Sequence, residues 1–253
     1  YSFGIFASLA IYAIVKKRHS EAAALTASLL FFTSPAVIER LPQTTVDISM
    51  TYFFLAAVMA ILKYVTESDE SRKTSMAVLA GILIGTAATI KLIGLLSAAA
   101  AGIGIIIACV LYRQRLNLRH ALLFGFTVIL FVSPWLALSY HYTGNPIYPQ
   151  AQTIFGGKYL DSSLTQLYSG YHEIVGLGKN PINAILVIWQ ITFNSKPFGP
   201  VIGLPPFFMM ILPLVLVFHK RMNDIKTWGI IFAMGMAILT VQFWVHPVIR
   251  YMF

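Results

Sequence analysis

Long apolar runs alternate with short charged connectors through most of this chain. A membrane-spanning helix needs ~20 mainly apolar residues. On that basis the pattern predicts eight spans, over residues 2–15, 22–38, 48–65, 76–90, 92–112, 121–140, 201–218 and 228–245. The first is short and reads as truncated. The chain starts at Tyr1 rather than at a methionine, and both ends are expected to be cuts through a longer protein. Residues 76–112 are one apolar run broken only by Lys91. At ~1.5 Å per residue that run would reach ~55 Å, against ~30 Å of hydrocarbon, so it should be two helices that turn near Lys91.

The long stretch that does not read as a span is 141–200, rich in Gly, Pro, Tyr, Ser and Asn. Within it, 182–193 is mostly apolar and carries Trp189. It is too short to span and reads as a helix in the membrane interface or a re-entrant piece. Ser20 and Ser75 stand where they could cap the helices that follow them. Pro35 and Pro134 fall near the outer ends of spans, where neighbours can satisfy a broken backbone. Gly81 and Gly85 fit the small-xxx-small packing pattern. The expected fold is all-α: a polytopic transmembrane helix bundle of about eight spans with one long outer loop holding an interfacial helix. Residues 1–140 form its first six helices, 141–200 the loop and 201–253 two further helices.

Composition supports this. The chain is 58% hydrophobic and 11% charged, where soluble domains average roughly 25% charged. A net charge of +9 on a soluble protein would suggest nucleic acid. Here the charge follows topology instead. Lys16, Lys17, Arg18, Lys63, Arg72, Lys73, Arg113, Arg115, Arg119, Lys220, Arg221 and Lys226 are twelve of the 18 basic residues, and all lie in connectors on the same side. The positive-inside rule makes that side cytoplasmic. The 39–47 connector, the long loop and the C-terminus then face outward, at the cell membrane or, in a eukaryote, the endoplasmic reticulum. The single cysteine, Cys109, allows no intrachain disulfide and no cysteine-based metal site.

Candidate chemistry gathers at the outward connectors. Asp47 opens a helix. It is either an acid that answers the helix dipole or a carboxylate that orients or activates an acceptor. Lys91 at membrane depth costs ~2.5–3.5 kcal/mol on insertion scales. It is either a snorkelling lysine or a counter-charge for a lipid phosphate. Arg250-Tyr251, behind His246-Pro247, is an interfacial anchor or an Arg fork for phosphate. His141, His172 and His246 show no metal-ligand spacing. There is no phosphate-binding loop, dinucleotide fingerprint or nucleophile elbow.

Several stretches together resemble the polyprenyl-phosphate-sugar glycosyltransferases of the GT-C superfamily, relatives of the protein mannosyltransferases and the lipid A aminoarabinose transferases. Thr143-Gly144-Asn145-Pro146 with Tyr148-Pro149 follows a span carrying Pro134-Trp135, similar to a stretch seen in many of these enzymes. Thr45-Val46-Asp47 with Phe53-Phe54, Gly81 and Gly85 ahead of Lys91, Phe198-Gly199-Pro200 leading to Leu212-Pro213-Leu214, and Arg250-Tyr251 also look like family features, in order. The family's acidic pair in the first outer loop has no match here, and that acid is expected upstream of Tyr1. Asp47 also lacks the proline that often follows in relatives.

The resemblance implies transfer of a sugar from a polyprenyl-phosphate donor to a lipid, glycan or protein acceptor at the extracytoplasmic face, with inversion at the anomeric carbon. It casts Asp47 as an assisting acid and Lys91, Arg40 and Arg250 as donor-phosphate ligands. Glu39, Tyr148, Tyr171 and His246 would line the acceptor side. No cofactor is indicated with certainty, and a divalent metal ion is left open. The partners would be the lipid-linked sugar, the acceptor and membrane lipids, with no nucleic acid. The competing readings are a transporter or lipid-carrier flippase, a polysaccharide ligase and a non-catalytic scaffold. A transporter would show paired mid-span charges or inverted repeats, and neither is found.

Overall fold

The computed structural model describes residues 2–42, 46–115, 117–148, 151–158, 181–194 and 225–245. All regular structure in these residues is helical. The elements are α1 (Ser2–Lys16), α2 (Glu21–Phe32), α3 (Pro35–Arg40), α4 (Asp47–Thr66), α5 (Glu70–Ile90), α6 (Gly94–Leu111), α7 (Leu118–Thr143), α8 (Gln152–Phe155), α9 (Pro181–Phe193) and α10 (Ile225–Val245). Four of them, α4 to α7, are long and apolar enough to cross a membrane; α1 and α2 are shorter apolar helices. The expected span at 201–218 lies outside the described residues.

Sequence and structure differ at three boundaries. The apolar segment 22–38 is not one helix. It breaks after Phe32, and Pro35 starts the separate helix α3. Proline disfavours the helical region for the residue before it, and Ser34 is extended accordingly (ψ 138°). Ser75 does not cap α5, which begins five residues earlier. There the Asp69 carboxylate accepts from the Ser71 and Arg72 amides, while Ser75 Oγ donates to Ser71 O. Apolar content therefore underestimated a helix whose first turn is polar. Finally, α7 continues through Pro134 to Thr143, past the end at residue 140 that the apolar pattern suggests. Ser20 does cap α2, accepting from Ala23 N. The turn at Lys91 also stands: the chain is extended at Lys91 between α5 and α6.

The core lies where α4, α5, α6, α7 and α10 meet. Ile61, Val65, Ile84, Ile230 and Met234 are almost fully buried there, among alanines. The glycine pair in α5 acts as packing residues. A Cβ on Gly81 would lie 2.8 Å from Phe124 O, and one on Gly85 2.7 Å from Phe131 Cβ, so α5 and α7 cross nearly backbone to backbone. These two contacts also set direction. Both helices advance together, so α5 and α7 are parallel and Ile90 lies level with about Pro134. At ~1.5 Å per residue, α7 then stands ~13 Å taller than α5.

This register gives the bundle two distinct ends. At one end the basic connectors meet. Trp228 Nε1 donates to His19 Nε2 (3.2 Å), Tyr112 and Thr227 share a hydroxyl bond (3.0 Å), and Lys73 Nζ donates to Gln114 Oε1 (3.1 Å). Glu67 closes α4 at this end. The Lys63 ammonium, at 2.9 Å, and the Ser68 and Asp69 amides hold its carboxyl down to about 2. The opposite end holds the start of α4, the end of α5, α3 and the C-terminus of α7.

Candidate functional site

Asp47 is the first residue of α4, and Lys91 sits in the break between α5 and α6. They are 44 residues apart in sequence, and the fold joins them. Lys91 Nζ donates to Asp47 Oδ1 in a short ion pair (2.5 Å), with the Asp47 side chain 14% exposed and Lys91 26%. The local causes are separate. Gly94 allows the tight break, because a Cβ there would overlap the Ala87 carbonyl. Asp47 reaches Lys91 because α4 packs along α5 and α6.

The pair changes how both residues read. Asp47 does not cap its own helix by side chain: the N-cap is Val46, which makes no side-chain cap bond. Lys91 meets an acid within the protein, where sequence reasoning considered only snorkelling or a lipid phosphate. Together they form a polar unit, mostly shielded from water, that can exchange partners when a new anion or a new donor enters.

Glu39 and Arg40 close α3, which packs on α2 and on α4, so they lie at the same end of the bundle. Glu39 Oε2 is buried with no hydrogen-bond partner among the described residues. An acceptor atom in that state normally calls for a donor. Just below Asp47, Tyr52 and Phe53 form an aromatic cluster with Phe3 and Phe6 of α1, with centroids 5.2–5.9 Å from the Tyr52 ring. This is an apolar wall one to two turns deeper than the ion pair.

The Thr143–Tyr148 turn stands above this level, and its motif residues are structural. Gly144 takes a left-handed conformation (φ 77°) that ends α7. Asn145 is fully buried, donates from Nδ2 to Gly156 O (3.0 Å) and accepts the Ile147 amide (2.9 Å). Ser139 Oγ and Thr143 Oγ1 both donate to Asn145 O. Lys158 N donates to Thr143 O (2.9 Å), which ties the returning chain to the helix end. Tyr148, the last residue of this turn, is half-buried. Tyr171, His246 and Arg250 lie outside the described residues. No group of three His, Cys, Asp or Glu among the described residues could hold a metal ion.

Sequence reasoning missed a second polar cluster, at the basic end. His120 is buried, with Nδ1 at 3.2 Å from Tyr64 Oη and Nε2 at 3.0 Å from Thr74 Oγ1. A histidine in the first turn of a long apolar helix was the available signal.

A family model described as "Dolichyl-phosphate-mannose-protein mannosyltransferase" matches residues 3–138, more than half of the chain. The match contains Asp47, Lys91, Glu39 and Arg40, and it ends before the Asn145 turn. No curated protein and no solved structure matches the chain.

Proposed function

The chain belongs to the dolichyl-phosphate-mannose-protein mannosyltransferase family, and from that premise we propose that it transfers a sugar from a polyprenyl-phosphate donor to an acceptor at the extracytoplasmic end of the bundle. The observation that carries the reading is the Asp47–Lys91 pair. A lipid-phosphate sugar keeps its tail in the bilayer and its headgroup at the surface. Transfer needs a cation for the departing phosphate and a carboxylate for the incoming nucleophile. The pair supplies one of each, at a helix break.

The mechanism follows from exchange of partners. The donor phosphate competes with Asp47 for Lys91. As Lys91 turns to the phosphate, the Asp47 carboxylate is released to orient the acceptor and help draw off its proton. The acceptor then attacks the anomeric carbon from the face opposite the phosphate. The carbon–oxygen bond to phosphate breaks, and the configuration inverts. Arg40 at the same end, and Arg250, are further phosphate ligands in this scheme. Glu39, Tyr148, Tyr171 and His246 are assigned to the acceptor side. α7 rises ~13 Å above the level of Lys91, beside the space a sugar headgroup would occupy in this scheme.

The test is transfer of radiolabelled sugar from a polyprenyl-phosphate donor by the full-length protein in proteoliposomes. Asp47→Asn is expected to lower turnover by about 10²-fold or more. Wild-type turnover in that variant would remove Asp47 from the reaction. Export of the labelled lipid without transfer would favour a carrier instead.

A further inference from the structure

At the end of the bundle opposite the Asp47–Lys91 pair, a cavity of about 450 Å³ opens between α4, α5 and the start of α7. Its lining includes Tyr64, Glu70, Lys73, Gln114, Arg115 and His120. Small-ligand sites commonly occupy ~300–1,000 Å³. We propose that this cavity binds a phosphate monoester, carried either by an anionic lipid headgroup or by a soluble molecule.

The argument begins with charge. Lys73 is largely buried (13% exposed) and donates to Gln114 Oε1 at 3.1 Å, with the exposed Glu70 carboxylate 3.4 Å away as a counter-ion that an anion can replace. Its ammonium is therefore oriented before any ligand arrives. Arg115 is exposed at the rim and makes no hydrogen bond or ion pair among the described residues. A guanidinium with an open fork suits phosphate oxygens, which it can hold bidentately. Tyr64 Oη and Thr74 Oγ1 hold His120 on both ring nitrogens, which makes the inner wall rigid and polar.

Shape narrows the ligand. Behind Tyr64 and His120 the wall turns apolar, with Ile61, Ala77, Ala80 and Phe124, and encloses only about 10 Å³. An acyl chain cannot enter there. The ligand must seat a compact polar head and leave any apolar tail outside, in the bilayer. Among the described lining residues, Glu70 is the one group that opposes an anion. It is exposed (66%), 3.7 Å from His120 Nε2, and can swing into water.

The opposed signs provide the test. The full-length protein is placed in nanodiscs of phosphatidylcholine with a minor fraction of phosphatidic acid, and retained lipid is counted by native mass spectrometry. A parallel arm titrates inorganic phosphate. Phosphatidic acid should be enriched and displaced by inorganic phosphate. Arg115→Gln and Lys73→Gln should each weaken binding by about tenfold or more, with Lys73→Arg restoring it. Glu70→Gln should tighten it severalfold. Phosphate binding with this same variant pattern but no lipid enrichment would identify the soluble source and uphold the site. Absence of binding in both arms, or binding indifferent to Arg115, Lys73 and Glu70, would overturn the proposal. Because Arg115 is exposed and Glu70→Gln changes the result in the opposite direction, misfolding cannot mimic the expected outcome.

Discussion

Replacing Asp47 and Lys91 singly and together tests whether they work as a unit. The pair sits between a surface bridge, worth ~0.2–1 kcal/mol, and a buried one, whose rupture costs ~3–5 kcal/mol. With side chains 14% and 26% exposed, and an attraction of roughly 4 kcal/mol for charge centres ~4 Å apart at an effective dielectric of 20 before desolvation is subtracted, we expect a coupling of about 1.5–3 kcal/mol. That is roughly a 10- to 150-fold departure from additivity. Asp47→Asn and Lys91→Met should each lower kcat/KM for transfer by about 10²–10³, with the double variant no more than about tenfold worse than the poorer single one. The assay is sugar transfer in proteoliposomes, with thermal unfolding measured in parallel. The reversed pair, Asp47→Lys with Lys91→Asp, separates catalysis from structure. It keeps the attraction and should unfold near the wild-type temperature, yet it moves the cation to α4 and should transfer no sugar. Multiplicative losses in the double variant, or an active reversed pair, would refute the shared role.

Other outcomes follow from particular contacts. Gly81→Val must push into Phe124 O and Thr127 Cβ (2.8 and 2.9 Å from a Cβ). It should cost about 1–3 kcal/mol in unfolding experiments, whereas Gly102→Ala, with open space around it, should cost far less. Asn145→Ala strands the Gly156 carbonyl and the Ile147 amide, at about 1–3 kcal/mol each. It should raise hydrogen exchange and proteolysis across 144–158 while leaving α4 and α5 protected. Glu67 has a folded pKa of about 2 against an ordinary 4.5. The stability it contributes is complete above pH ~4.5 and is lost as pH falls toward 2, so Glu67→Gln should flatten the acid side of a Tm-against-pH curve. For orientation, Tyr142→Cys at the exposed end of α7 should react with an impermeant maleimide on intact cells, and Ser71→Cys only after lysis. The reverse pattern would invert the topology.

The sequence determined most of the fold. Uncharged runs near the length of a bilayer can only be helices, because every backbone polar group must be satisfied within the segment. The break at Lys91 followed from length alone. Family membership was legible too, since Asp47, Gly81, Gly85 and Lys91 fall in order. Boundaries were less legible where a local side chain overrode hydropathy. Asp69 caps α5 six residues before the expected cap at Ser75, and Pro35 divides a continuous apolar stretch.

Only tertiary structure could decide which polar groups meet. Asp47 and Lys91 each have an adequate local explanation, and nothing in the spacing of 44 residues joins them; the packing of α4 along α5 and α6 does. The Tyr64–His120–Thr74 cluster and its cavity were hidden for the same reason. Helix periodicity specifies which side of one helix is apolar, but not which helix will cover it. The backbone approach at Gly81 and Gly85 sets the register of α5 against α7, and that register separates the two ends of the molecule.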